Sequence, residues 1–183
     1  MSKKKKISLY IIYFFMICAV VVLFVAAEIY DNVAVFSTAI TLFTTIFHFT
    51  VRIVFANLIY LLIGKFCTYD RWWFREKSFE KRLYKIVCVK KWKNFLPTWN
   101  DRDFRIDLND YESLLAHICK AEVYHELCMV LSFVPLLFSI WWGEFWIFFG
   151  TSFVAAVFDL LFVMIQRYNR PRVMKMKLMA NKN

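Results

Sequence analysis

The 183-residue chain is 61% hydrophobic and 20% aromatic with only three Gly and three Pro, too apolar for a water-soluble domain of this size. Its net charge of +10 sits in Lys and Arg runs that flank apolar stretches, which suits anionic lipid headgroups or an anionic carrier, and nothing in the sequence points to nucleic acid. The five cysteines show no CxxC spacing and no disulfide framework.

The first apolar run, Ile7 to Ala27, follows "KKKK" and meets the ~20 residues that a helix needs to cross hydrocarbon. Its flanks imitate a signal peptide, but the apolar part is too long for one. An uncleaved anchor is expected, with cleavage after Ala27 as the alternative. The second run lies within Val33 to Ile63, and a cytoplasmic insertion over 64–120 follows it. There "CTYDRWWFREKSFEKRLYKIVCVKKWKNFLPTW" interleaves aromatic and basic residues, with Phe79, Leu83, Ile86 and Val87 on one helical face. Such a segment would lie in the headgroup layer, its tryptophans at the water boundary and its cations toward phosphates. Asn109 or Asp110 is expected to cap the next helix.

The third span runs over about 121–142, with its apolar part from Leu127 to Trp142, and the fourth over 145–165. A basic tail, 166–183, follows, in which Pro171 is expected to stop the helix. Thirteen Lys or Arg lie between Gly64 and Lys120 and six follow Gln166, whereas the connections "EIYDN" and "GE" carry only acids. Basic flanks stay cytoplasmic. The expectation is an all-α integral membrane protein of the cell membrane, one multi-pass domain of four transmembrane helices with both termini inside.

Charged groups in a membrane cost roughly 2.5–3.5 kcal/mol each on insertion scales, so each asks for a reason. In the second span Thr38, Thr41, Thr45, His48 and Arg52 form one stripe; in the third Glu122, His125, Met129 and Ser132 do; in the fourth Ser152, Ala155, Asp159 and Gln166 do. These faces are expected to meet inside the bundle, with Asp159 pairing with Arg52 as packing glue. Glu122 and His125, three apart at the cytoplasmic start of the third span, differ. A carboxylate can orient an imidazole that deprotonates a hydroxyl nucleophile. The same pair could hold a metal, but no third or fourth ligand is evident, and no metal or cofactor is expected. His117 with Glu122 imitates the His-then-acid spacing of soluble glycerolipid acyltransferases without their further motifs. A structural salt bridge from Glu122 to Lys120 or an Arg is the plain alternative.

"FEK" at Phe79 to Lys81, "KKWK" at Lys90 to Lys93, "KAEVYH" at Lys120 to His125 and "QRYNRPR" at Gln166 to Arg172 occur in an order that resembles the glycosyl-4,4'-diaponeurosporenoate acyltransferase family. The similarity covers roughly Tyr69 to Met174. It implies transfer of a fatty acyl chain to a sugar hydroxyl of a glycosylated carotenoid, the last step of staphyloxanthin synthesis, or of a related glycolipid. The matched residues are Glu122, His125, Gln166, Arg167, Asn169 and Arg170. The sequence departs from the relative in its more hydrophobic first half, with His48 and Arg52, and in having Asp159 where Asn is expected.

The expected roles combine spacing with this resemblance. His125, held by Glu122, is the base. Arg167, Arg170 and Arg172 hold a phosphate of the donor, whether acyl-CoA, acyl carrier protein or a phospholipid, and Gln166 or Asn169 steadies the oxyanion. Arg52 and Lys120 complete the substrate contacts. A membrane-lipid methyltransferase or reductase, or a non-catalytic lipid-binding protein, is the alternative.

Overall fold

The computed structural model describes residues 3–63, 66–96 and 110–180. These form α1 (Lys3–Tyr30), α2 (Val33–Ile63), α3 (Glu80–Ile86), α4 (Val89–Trp92), α5 (Tyr111–Leu131), α6 (Ser139–Trp142) and α7 (Phe145–Ala180), with 3-10 turns at Trp72–Phe74, Lys93–Phe95 and Val134–Phe138. The protein is all-helical over the described residues. Four segments are long and apolar enough to cross a membrane: Tyr10–Tyr30, Val33–Val54, Tyr111–Trp142 and Phe145–Ala180. The chain divides into two compact units, Met1–Ala56 with Cys128–Phe158, and Asn57–Leu127 with Asp159–Asn183.

In the first unit α2 opens where Asn32 Oδ1 accepts from the amides of Ala34 and Val35, at 3.0 and 3.2 Å, satisfying two donors that the first turn leaves unpaired. Aromatic rings then pack around Trp142, with Phe24, Phe43 and Phe138 at centroid distances of 5.4–5.6 Å. Ser37 donates to Glu144 at 3.1 Å, next to the positive-φ turn at Gly143. The threonine stripe does not wholly face inward as expected. Thr38 and Thr41 are exposed and donate to the carbonyls of Ala34 and Ser37 on their own helix, whereas Thr44 and His48 are buried. A threonine hydroxyl can be satisfied one turn back, so it sets no demand for a partner helix.

In the second unit α5 begins earlier than the apolar run suggests, because Leu114, Leu115, Ile118 and Cys119 form a buried stripe inside an otherwise polar segment. Asp110 caps it as expected, its Oδ1 accepting from Ser113 N at 2.9 Å; Asn109 lies outside the described residues. The stripe packs antiparallel on α7, where Leu114, Leu115 and Ile118 cluster with Val173, and Lys177 pairs with Glu112. This packing explains a correction. Pro171 does not stop α7, which continues to Ala180 through it. An interior proline costs about 3 kcal/mol, and burying Val173 with its flanking Met174 and Met176 offsets a loss of that size.

One further expectation changes. The third span is not one helix, since α5 ends at Leu131 and Pro135 opens a 3-10 turn before α6. A proline is tolerated in the first turn, where its missing N–H has no partner to lose. Over its described residues before α5 the insertion forms the short helices α3 and α4, which meet at Cys88, whose φ of 54° is left-handed. Its apolar residues still point outward: Phe79 is 62% exposed and Ile86 73%.

Candidate functional site

The second unit gathers its charges in a buried cluster. Glu80, the acid of "FEK", opens α3, and its carboxylate lies against Arg167 of α7, where it is 2% exposed. Arg167 donates to Glu80 Oε1 from Nη2 at 2.6 Å and from Nε at 3.0 Å, and to Glu122 Oε1 from Nη1 at 2.6 Å. Arg170, 1% exposed, donates to the other Glu122 oxygen, and its guanidinium lies 5.2 Å from the centre of the Phe74 ring. Two carboxylates and two guanidiniums therefore cancel. Burial demands this: an unpaired charge there is costly, and the bidentate fork of Arg answers two acids at once. Tyr84 donates to Glu80 Oε2 at 3.0 Å. Burial and the adjacent Glu80 carboxylate push its phenol well above the usual range.

The expected dyad of Glu122 and His125 does not form, because both Glu122 oxygens are held by Arg167 and Arg170. His125 lies one turn further along α5, and its carboxylate is Asp159, with Nδ1 3.0 Å from Oδ1. A carboxylate only accepts, so Nδ1 is the donor of this pair, an arrangement that in the neutral ring places the lone pair on Nε2. The ring stacks on Phe162 at 4.6 Å and 10° and meets the edge of Tyr124 at 4.9 Å. Among the described residues Nε2 has no partner, and the side chain is 17% exposed. An oriented imidazole with one free nitrogen can take a proton from a hydroxyl.

The remaining expected residues make contacts of their own. Gln166 is buried on the same face of α7 as Asp159. Asn169 Oδ1 accepts from Lys93 at 3.3 Å. Arg172 is exposed, donates to the carbonyl of Tyr168 and lies 3.4 Å over that ring. Lys120 is half-buried on α5. Arg52 belongs to the first unit, where it donates to the carbonyls of His48 and Ala155 at 2.8 and 3.0 Å. Sequence reasoning read Asp159 as packing glue and gave Glu80, Tyr84, Lys93 and Tyr168 no role. Glu80 and Lys93 stand in the quoted "FEK" and "KKWK", so the signal was the motif itself.

A groove of about 550 Å³ opens beside the cluster, lined by Trp72, Trp73, Phe79, Leu83, Leu160, Val163 and Met164, with Glu80, Tyr84 and Arg167 at its polar edge. Trp73 is fixed by its Nε1 donating to Glu126 at 2.9 Å. The volume lies in the ~300–1,000 Å³ range of small-ligand sites.

Four helices long and apolar enough to cross a membrane put the chain in the class of polytopic membrane proteins. The model of the glycosyl-4,4'-diaponeurosporenoate acyltransferase family matches residues 70–178, and the chain belongs to that family. The match takes in Glu80, Glu122, His125, Asp159, Arg167 and Arg170. No curated protein and no solved structure matches the chain.

Proposed function

We propose that the protein is a membrane O-acyltransferase that esterifies a sugar hydroxyl of a glycosylated carotenoid or related glycolipid at the cytoplasmic face. Family membership supports the reaction type. The observation that carries the mechanism is the contact of His125 Nδ1 with the buried Asp159 carboxylate, which leaves Nε2 as the base.

In this reading Nε2 takes the proton of the acceptor hydroxyl as its oxygen attacks the carbonyl carbon of the acyl donor. A C–O bond forms and the carbonyl electrons move onto oxygen. When they return, the bond to the leaving group breaks, and the leaving thiolate or alkoxide takes the proton back from Nε2. Asp159 holds the ring in the donating tautomer. Gln166, buried on the same face of α7 as Asp159, steadies the oxyanion. Glu122 positions the site through Arg167 and Arg170, and the acyl chain lies in the groove over Leu83, Leu160 and Met164.

His125→Ala tests the assignment by removing the base. Acyl transfer should fall by roughly 10²–10⁴-fold, the usual contribution of one acid–base group, with helix content retained. Full activity in that variant removes His125 as the base. Membrane lipids gaining a methyl group or losing a double bond in the protein's presence, without a new ester, point to the methyltransferase or reductase alternative.

A further inference from the structure

Lys93 and Arg172 share one aromatic ring. Lys93 Nζ lies 5.3 Å from the centroid of Tyr168 and the Arg172 guanidinium 3.4 Å from it. Tyr168 is braced edge-on by Tyr84 at 5.6 Å and 86°. Two cations brought onto one ring repel each other, yet among the described residues neither has a carboxylate partner. This differs from the cluster next to it, where every charge is answered. Burial first, and then the positive charges of Arg172 and Lys90, hold the Lys93 ammonium below the usual lysine range. Among the described residues donors remain around the ring: Asn169 accepts Lys93 with Oδ1, leaving its amide nitrogen, and Arg172 commits Nη1 to the Tyr168 carbonyl, leaving Nε and Nη2.

We propose that Lys93, Asn169 and Arg172, gathered on Tyr168, bind the phosphate of a phosphopantetheine arm and so seat a thioester acyl donor. The proposal rests on the acyl-transfer reading and names its donor class. Spacing along α7 selects the arm. Asp159, which fixes the base, precedes Tyr168 by nine residues and Arg172 by thirteen, or ~13 to ~20 Å along the axis at ~1.5 Å per residue. In a phospholipid the ester carbonyls lie only a few bonds from the phosphate, too close to reach from one end to the other. The pantetheine arm, with two amide-linked units and a terminal thioethyl group, separates phosphate from thioester over a distance of this order. Tyr84 joins the ends, since it braces Tyr168 and also lines the apolar groove.

The test is equilibrium binding to the full chain in an uncharged detergent, with 4'-phosphopantetheine, unphosphorylated pantetheine, coenzyme A, phosphopantetheinylated carrier protein and phosphatidylglycerol vesicles as separate probes. Wild type should prefer the phosphorylated arm over pantetheine by roughly tenfold or more, as expected for charge-assisted hydrogen bonds. Lys93→Gln with Arg172→Gln should erase that preference, and Lys93→Arg with Arg172→Lys should restore most of it, which guards against a fold defect. Tighter binding of coenzyme A or of the carrier protein identifies the arm's source, and either supports the proposal. Absence of the preference in wild type, its persistence in the glutamine variant, or binding of the vesicles alone through these residues overturns it. His125→Ala should bind the arm like wild type while losing transfer, so a failure of the base assignment and a failure of the donor site give different results.

Discussion

Arg170 is nearly sealed from solvent yet charged, and its worth depends on Glu122. Arg170→Met leaves that buried carboxylate with Arg167 alone, and loss of one partner from a buried pair typically costs ~3–5 kcal/mol. The thermal midpoint in detergent should fall accordingly. Glu122→Gln in the same chain should recover part of the loss, because it removes the charge left behind. Asp159→Asn preserves shape but gives the ring an uncharged partner that can donate as well as accept. Activity should drop with little change in midpoint, as judged by initial rates beside a melting curve. Residues such as these were legible as types but not as pairs. Spacing put Glu122 and His125 on one helix, one turn apart, but which acid each met depended on how α7 packs against α5, which periodicity within either helix does not contain.

α7 shows how packing overrides a local signal. Pro171 breaks one backbone bond and reads as a stop, yet buried Val173 with Met174 and Met176 beyond it hold the helix together. Pro171→Ala should therefore raise the thermal midpoint, by an amount on the order of 1–3 kcal/mol in stability, without changing the helix boundary. α5 hid its start for the opposite reason: its stripe of Leu114, Leu115, Ile118 and Cys119 lies among polar residues, too sparse to read as membrane. Pro135 was visible, and its 3-10 turn follows from the missing N–H. The groove belongs to this scale too. Leu83→Trp or Met164→Trp fills it, and the acyl chains found in product esters by mass spectrometry should shift toward shorter lengths. An unchanged chain distribution would place the acyl chain elsewhere.

The four membrane-length segments were legible at once, because hydrocarbon requires long apolar helices and nothing in the sequence disguises them. The orientation proposed here rests on a different signal, the bias of Lys and Arg toward one side. With an even number of crossings both termini share a side, and the cytoplasmic assignment predicts that a cysteine introduced at Lys81 or near Lys177 in a chain lacking other cysteines resists an impermeant thiol reagent in intact cells. Labelling without permeabilisation would invert the topology. Exposed Trp72, Phe79 and Ile86 in the insertion further predict that it partitions to the bilayer surface, and that anionic lipid strengthens this in a salt-sensitive way.

The most direct test of the whole account supplies the purified protein, reconstituted in a bilayer, with a glycosylated carotenoid and an acyl thioester, and follows the sugar hydroxyl by mass spectrometry. Wild type should form a new acyl ester and His125→Ala essentially none, at equal helix content. Ester formed equally by both, or by neither, would contradict it.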